Sequence, residues 1–320
     1  MPKMLKFIIK RILVAIPIFL GITVVVYTFS CLAPGSVVDI MAGEGNMTKE
    51  AYEAAVIAHN LDKPIIVRYF MWLGKTLSGD LGYSSYTSQS VAAMISARIG
   101  PTLILTLTSL TLSVLISIPL GVMSAYKPYS VWDNLSTVIT FIGASVPNFF
   151  MGLIVIYIFA VKLQWLPSQG MYTTGAEATF ADLCRHLVLP VVVLCVQLMG
   201  NYLKQTRGSV LEVMNEEYIK TARSKGISEF RVMVKHALRN AWIPIVTTIG
   251  MNVPFLIGGA VVTEQIFGWP GIGSLMMTAI ETRDYNLIMG ITVLISITVL
   301  VVNILLDVLY AYLDPKISLE

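Results

Sequence analysis

Six apolar runs alternate with polar segments along the chain, and each is long enough to cross a bilayer as a helix, which takes about 20 residues. The first five runs contain no Asp, Glu, Lys, Arg or His, and the sixth contains only Asp307. The pattern predicts an all-α polytopic membrane protein. The six predicted transmembrane helices are 12–31, 102–126, 135–160, 187–203, 241–263 and 287–310.

Composition agrees with lipid as the solvent, because 56% of the 320 residues are hydrophobic and only 13% are charged. Soluble domains carry roughly a quarter charged residues. Ion-coupled transporters usually bury a carboxylate or histidine relay inside their spans. Apart from Asp307 near the end of the sixth run, the predicted spans contain no such residue, which argues against a self-sufficient secondary transporter.

Lysine and arginine set the predicted orientation, because cytoplasmic loops carry more of them than external loops. If the N-terminus is inside, the cytoplasmic segments hold 14 lysines and arginines. Four of these residues precede residue 12, eight lie in 204–239, and the other two are Lys127 and Lys316. The short external loops hold Lys162, Arg185 and Arg283, giving 3. Both termini are therefore predicted to be cytoplasmic, and the net charge of +3 is a topology signal that gives no reason to expect nucleic acid.

The spans divide the chain into four predicted parts. Residues 1–31 form a cytoplasmic tail and a first helix that is retained, because its apolar run is too long for a signal peptide. Residues 32–101 form a small external helical domain, 102–310 the five-helix membrane core with a cytoplasmic loop at 204–240, and 311–320 a cytoplasmic tail.

The external domain carries its own helix signals. The sequence Ala33-Pro34-Gly35 is expected to break the chain after the first span. Thr48 can cap a helix that runs to about His59, and Pro64 suits the first turn of a second helix that runs to about Leu77.

Prolines inside the predicted spans leave two interpretations open. A proline frees a backbone carbonyl and kinks a helix. Such kinks are ordinary in membrane helices, and they are also typical of helices that bend around a pathway. The prolines concerned are Pro17, Pro119, Pro147, Pro190, Pro244 and Pro254.

The cytoplasmic loop is the most polar stretch of the chain and reads as two short helices around a glycine. Leu211, Met214, Tyr218 and Ala222 recur at a spacing of three and four residues, which predicts one apolar stripe on a single helix. Gly226 suits the left-handed residue that ends such a helix.

The second helix of the loop is predicted to begin at Ser228 and to continue into the fifth span at Pro244. Its expected apolar face consists of Phe230, Met233, Ala237, Leu238 and Ala241. Docking to a partner protein and resting on lipid headgroups are both compatible with the pattern. The glutamates among the basic residues favour the protein partner.

Catalytic and metal chemistry finds no support in the residue spacing. Cys31, Cys184 and Cys195 have no metal-ligand spacing and imply no disulfide framework. The three histidines lie in different segments, so an intramembrane enzyme finds no nucleophile–base or metal constellation. The residues Gly74-Lys75-Thr76 resemble the end of a phosphate-binding loop, but Tyr69 occupies the position where that loop requires a glycine.

The loop also resembles a known motif. Glu217-Tyr218-x-x-x-Ala222-x-x-x-Gly226 is similar to the "EAA" loop of ABC importer permeases, and His236-Ala237-Leu238-Arg239-Asn240-Ala241-x-x-Pro244 is similar to its version in the dipeptide/oligopeptide/nickel permease family. Motifs elsewhere resemble that family in the same order. They are Leu61-Asp62-Lys63-Pro64, Gly79-Asp80-Leu81-Gly82-x-Ser84, Glu264-x-x-Phe267-x-x-Pro270-Gly271-x-Gly273 and the ending Asp307…Asp314-Pro315. The sequence departs from the family pattern at Ser90 and Thr221.

The resemblance implies a type I ABC importer permease in a bacterial or archaeal cytoplasmic membrane. Such a chain pairs with a second homologous permease, two cytoplasmic ATPase subunits and an external substrate-binding protein, surrounded by membrane lipid. ATP and Mg²⁺ are bound by the ATPase partners, so this chain is expected to hold no cofactor and to have no enzyme activity of its own. Di- or oligopeptides are the implied cargo, with nickel chelates and saccharides as alternatives.

The resemblance also assigns roles to residues. Contact with the ATPase is expected at Met214, Glu217, Tyr218, Ala222, Gly226 and His236. The external motif consists of Asp62, Pro64, Gly79, Asp80 and Gly82. Candidates for the gate or pathway are Asn252, Glu264, Phe267, Pro270, Gly271 and Gly273. Gln197 and Asn148 are further polar residues within spans that could instead bond another helix.

Overall fold

The computed structural model describes residues 2–32, 35–36, 38–39, 42 and 47–313, and it describes side chains from residue 5 onward except at 254–259 and 310–313. Over these ranges the chain is helical apart from turns and loops, and an isolated bridge between Tyr83 and Ser90 is the nearest approach to a strand. The predicted break at Ala33-Pro34 and the ending Asp314-Pro315 lie outside the described residues.

The described helices are numbered in chain order. They are α1 (Pro2–Leu32), α2 (Lys49–Ala58), α3 (Ile65–Leu77), α4 (Val91–Tyr126), α5 (Val131–Ser145), α6 (Asn148–Val155, continuing as the π-helix Ile156–Lys162), α7 (Phe180–Met214), α8 (Glu217–Ser224), α9 (Glu229–Arg231, the π-helix Val232–Ala237, then Leu238–Gly259), α10 (Val261–Ile266), α11 (Ile272–Glu281) and α12 (Tyr285–Leu313).

Two compact units divide the chain, one made of residues 1–100 with 271–301 and the other of 101–270 with 302–320. In the first unit, the Thr48 hydroxyl caps α2 by accepting from the Ala51 N–H at 3.3 Å, as predicted. Pro64 immediately precedes α3, which confirms the second predicted helix. Tyr69 of α3 packs against Tyr27 of α1, with ring centroids 5.6 Å apart.

The second unit holds the helices that surround the polar loop 204–240. Pairs of small residues let α5 and α7 approach closely, because Gly143 faces the backbone of α7 at Val196 and Gly200 faces the backbone of α5 at Thr140. Small residues at such contacts are typical of helix packing in membranes, where dispersion contacts replace the hydrophobic effect.

Four described helices are long and apolar enough to cross a membrane. They contain the stretches Leu5–Leu32, Val91–Tyr126, Phe180–Met214 and Tyr285–Leu309. The bent pair α5–α6 would make a fifth span. The helical segment Leu238–Gly259 occupies most of the predicted fifth run, and the count of six spans stays a prediction.

The predicted single helix over 135–160 is wrong, because α5 and α6 meet at a bend of 110°. Pro147 accounts for the break: it has no N–H to donate, and it disfavours helical backbone in the residue before it. Val146 accordingly adopts an extended conformation, with φ −90° and ψ 120°. The other described prolines within helices, such as Pro119 and Pro190, lie inside single helices.

The α5–α7 contact generates a prediction about Gly143. In Gly143→Ala the added Cβ would lie 2.3 Å from the Val196 carbonyl oxygen, so the helices must separate. We expect thermal unfolding in detergent to show a loss of about 1–3 kcal/mol.

Gly208→Ala in α7 is the matched control, because a Cβ there meets nothing within 4 Å. It should be neutral or stabilise the protein by up to about 1 kcal/mol, since alanine loses less backbone entropy than glycine. Equal stability of the two variants would contradict the proposed close packing.

Candidate coupling site

The polar loop 204–240, predicted to be cytoplasmic, contains a separate short helix. The structure ends α7 at Met214, and Glu216 then takes an extended conformation, with φ −70° and ψ 147°, before α8 begins. The prediction of one helix with a continuous stripe from Leu211 to Ala222 is therefore wrong. The break changes the phase of the helix, so Tyr218 becomes exposed and Ile219 takes the buried position.

The buried face of α8 belongs to a cluster that we call the coupling core. Ile219 is fully buried and Ala222 is buried on the same face, and both lie among buried side chains of α9. Met214 and Ile227 pack partly buried against this cluster. The coupling core consists of Ala125, Val210, Ile219, Ala222, Val232, Met233, Ala237, Ala241 and Ile245.

The turn after α8 has the geometry predicted for Gly226. Its φ is +73°, a left-handed conformation that favours glycine. The Gly226 N–H donates to the Arg223 carbonyl at 2.9 Å, and the Ile227 N–H donates to the Ala222 carbonyl at 3.4 Å. This pair of bonds is a Schellman motif, and the packing of Ile227 on the coupling core supplies the hydrophobic contact that commonly accompanies it.

An ion pair spans the same turn. Arg223 donates from Nε and Nη2 to the two carboxylate oxygens of Glu229, at 2.8 and 3.3 Å. Both side chains are about two-fifths exposed, so the free energy of the pair is modest. Its bidentate geometry nevertheless restricts the angle between α8 and α9.

The second predicted helix of the loop is continuous with the helix that follows it. The chain remains helical from Glu229 through a π-helical turn at Val232–Ala237 to Gly259. Met233, Ala237 and Ala241 are buried as expected, whereas the prediction for Phe230 is wrong because that side chain is 76% exposed. His236 is half-buried in the π-helical turn.

The face of α8 that points away from the coupling core carries exposed polar side chains. Glu217 and Lys220 form a pair at 2.7 Å, and their side chains are 86% and 61% exposed. Tyr218 is the largest apolar group on this face, at 42% exposed. A protein that docks here would therefore meet charges and one aromatic ring.

A charged cluster that the sequence analysis did not single out holds α7 near its C-terminal end. The carboxylate of buried Asp133 accepts from Arg207 Nε at 2.7 Å, from the Ser124 hydroxyl at 2.6 Å and from the Tyr129 N–H at 2.8 Å. These groups come from α4, α5, α7 and the turn at residues 127–130. The available signals were an isolated Asp just before the third apolar run and Arg207 near the start of the predicted loop 204–240.

The external motif residues form two turns in the first unit. Gly79 and Gly82 both have positive φ, +85° and +75°, and Asp80 accepts from the Gly82 N–H at 2.8 Å. The chain then reaches Ser84, whose hydroxyl donates to Asp284 at 2.5 Å. Asp62 and Pro64 lie apart from them, in the turn between α2 and α3.

The pathway candidates do not form one open site. Glu264 is fully buried and accepts from the Thr102 hydroxyl at 2.7 Å, and Phe267 packs among Leu189 and Val193. The remaining motif residues, Pro270, Gly271 and Gly273, mark the turn into α11. Their placement is that of residues that support packing and turns.

Asn252 lies elsewhere, on a polar cleft of about 560 Å³ between α7 and α9. The cleft is also lined by Asn201, Gln205, Glu212 and Thr248. Asn148 and Gln197, two further polar residues of the predicted spans, are hydrogen-bonded to each other. Asn252 is thus a predicted pathway residue that borders open space.

Known proteins resemble this chain over its whole length. It is 42% identical to the oligopeptide transport system permease protein AppB of Bacillus subtilis, over 98% of this chain and 100% of that protein. It is 34% identical to the dipeptide transport system permease protein DppB of Escherichia coli K12, over 98% and 99%.

A solved structure shares the fold at low sequence identity. The MetNI methionine ABC transporter, in an inward-facing form, has a chain that matches with a TM-score of 0.53 and 17% identity, over 69% of this chain and 96% of that chain. Residues 117–319 match the family described as the binding-protein-dependent transport system inner membrane component, and residues 4–106 match its N-terminal region. The chain belongs to this family of multi-pass membrane permease subunits of ABC importers.

Proposed function

We propose that this chain is the permease subunit of an ATP-driven importer of di- or oligopeptides. The observation that carries the proposal is full-length similarity to two proteins that are both named for peptide transport. Both match almost end to end, so the similarity includes the external residues as well as the membrane core. Neither relative is named for nickel or saccharides.

The proposed assembly contains a second homologous permease, two cytoplasmic ATPase subunits and an external binding protein. The family description, with its dependence on a binding protein, supports this composition. ATP and Mg²⁺ would be bound by the ATPase subunits. The excess of lysine and arginine on the predicted inner side supports cytoplasmic termini and a cytoplasmic α8.

In this proposal α8 is the coupling helix that docks on one ATPase. Its outward face offers Glu217, Tyr218 and Lys220, so the contact is mainly polar, with Tyr218 as the aromatic anchor. Exposed Phe230 lies just beyond the turn and adds a second aromatic group. Met214 and Ala222 act indirectly, because they pack on the inner side of the loop.

Motion of α8 would pass to α9 through the coupling core. Ile219 and Ala222 are wedged against Val232, Met233 and Ala237, so α8 cannot slide without opening a cavity in a closely packed core. Because the same helix continues to Gly259, a rotation at Val232 reaches Thr248 and Asn252 at the polar cleft. This relay would let ATP-driven closure change the shape of that cleft.

Reconstituted uptake tests the proposed cargo and energy source. Proteoliposomes that contain both permeases, the ATPases and the binding protein should accumulate a labelled dipeptide or oligopeptide only when ATP is supplied. The chain reconstituted alone should accumulate none. Uptake by the isolated chain, or ATP-driven uptake of a nickel chelate or saccharide but no peptide, would contradict the proposal.

Gly226 provides a test of the relay. Valine at φ +73° costs on the order of 1–2 kcal/mol, which corresponds to a 5- to 30-fold lower ratio of the native turn to its alternatives. We expect Gly226→Val to lower substrate-stimulated ATP hydrolysis by up to that factor while the spans remain inserted.

Gly226→Asn is the matched control, because asparagine tolerates the left-handed conformation and a Cβ at this position meets nothing within 4 Å. It should retain most of the stimulation. Two equally active variants, or two equally inactive ones, would show that the backbone conformation of this turn does not govern coupling.

A further inference from the structure

Helix α3 exposes an apolar stripe that the transport mechanism leaves unused. Ile66, Phe70 and Leu77 lie on one side of the helix and are 71%, 63% and 75% exposed. Arg68 and Lys75 lie on the opposite side of the helix, and buried Tyr69 lies between the two sides. Exposed apolar surface on this scale marks an interaction site, and a helix with one apolar face and cations on the other is typical of the membrane–water interface.

The position of α3 places this stripe beside a membrane span. Tyr69 packs against Tyr27, and its hydroxyl lies 3.0 Å from the hydroxyl of Thr23. Both partners belong to the C-terminal part of α1, whose stretch Leu5–Leu32 is apolar enough to cross the bilayer. The contact therefore sets α3 near one end of the span, at the depth where lipid headgroups begin.

A cationic cavity of about 200 Å³ adjoins α3 in the same unit. Residues of α1, α2, α3 and α12 line it, together with the turn after α2 and Ser85. Arg68, Lys75 and His59 contribute basic groups, and no Asp or Glu stands among the described residues that line the cavity. Drug-sized ligands occupy about 300–1,000 Å³, so this cavity suits a smaller anionic group.

The two permanent cations of the cavity have no carboxylate partner within the described part of the chain. The ion pairs found there involve neither Arg68 nor Lys75. Arg68 is half-buried against the Tyr27 hydroxyl. A partly buried guanidinium is stable only with hydrogen-bond acceptors or an anion around it, and two cations spaced seven residues apart on one helix favour a shared anion.

Aromatic side chains that pack against one another support one side of the cavity. The rings of Tyr27 and Trp72 have centroids 5.9 Å apart, and those of Tyr69 and Trp72 are 5.8 Å apart. Buried Met289 of α12 packs in the same cluster. A preformed site loses little conformational entropy when its ligand binds, and tryptophan and tyrosine are enriched at headgroup depth in membranes.

We propose that this cavity binds the phosphodiester headgroup of an anionic phospholipid while the apolar stripe of α3 rests in the acyl-chain boundary. Arg68 donates its planar N–H groups to the phosphate oxygens, and Lys75 adds a second positive charge. Ile66, Phe70 and Leu77 then contact the chains of the same lipid or of its neighbours. The site anchors the segment between the first two spans to lipid, independently of the cargo.

The experiment compares lipids retained by the complete transporter. Complexes extracted from nanodiscs of equal phosphatidylglycerol and phosphatidylcholine should carry phosphatidylglycerol in several-fold excess by native mass spectrometry. Arg68→Gln/Lys75→Gln should lose that excess. The control Lys49→Gln/Arg98→Gln removes the same charges from the same unit but away from the cavity, and it should keep the excess.

Two further measurements test whether the bound anion belongs to a lipid and how deep α3 lies in the membrane. A spin label at position 70 should be more accessible to oxygen than to a water-soluble nickel chelate, in wild-type and cavity-variant backgrounds that unfold at the same temperature. Millimolar glycerol phosphate should not displace the bound lipid.

The following results would overturn the proposal. One is equal lipid retention by the cavity variant and the control. Another is displacement of the lipid by glycerol phosphate, which would indicate a site for free anions. A third is a label at position 70 that is open to water or covered by protein. The last is loss, in the cavity variant, of stimulation by the binding protein in pure phosphatidylcholine, which would indicate a protein-docking surface.

Discussion

The burial of two apolar side chains, Ile219 and Ala222, against α9 is the interaction on which the candidate coupling site depends. An eight-residue helix is too short to be stable alone in water. It persists because one face lies in the coupling core and because its end is fixed by the Schellman turn and the Arg223–Glu229 pair. The position of α8 is therefore set by α9, and a force on either helix must act on both.

The membrane imposes the complementary constraint that polar groups be satisfied inside the protein. Within α4, the hydroxyls of Thr106 and Ser109 donate to the carbonyls of Thr102 and Leu105, each at 2.8 Å. The ion pair of Asp133 and Arg207 fixes one helix to another beside the turn between α4 and α5. The apolar middle of the helices packs through small residues such as Gly143.

Features that depend on local chemistry could be predicted from the sequence alone. The Thr48 cap, the start of α3 after Pro64 and the turn at Gly226 all follow from the preferences of single residues, and all are present. The motif resemblance was also sufficient to identify the family, because several motifs occur in the same order along the chain.

Features that depend on tertiary contacts could not be predicted in the same way. The periodicity of Leu211, Met214, Tyr218 and Ala222 fits one helix, and only the packing of Ile219 reveals the break at Glu216. Pro147 was recognised, but whether a proline bends a helix or ends it depends on its neighbours. The Asp133–Arg207 pair joins residues 74 positions apart, and no pattern in a single sequence links them.

Whether α8 and α9 move as one body is the central claim, and a distance between them tests it most directly. Spin labels at positions 225 and 242, in a variant without native cysteines, report that distance by pulsed electron resonance in the assembled transporter. The account predicts a change below about 2 Å between the nucleotide-free and ATP-bound states, within the range of small helix shifts. A change of about 5 Å, one helical turn, would show that α8 moves separately and would contradict the account.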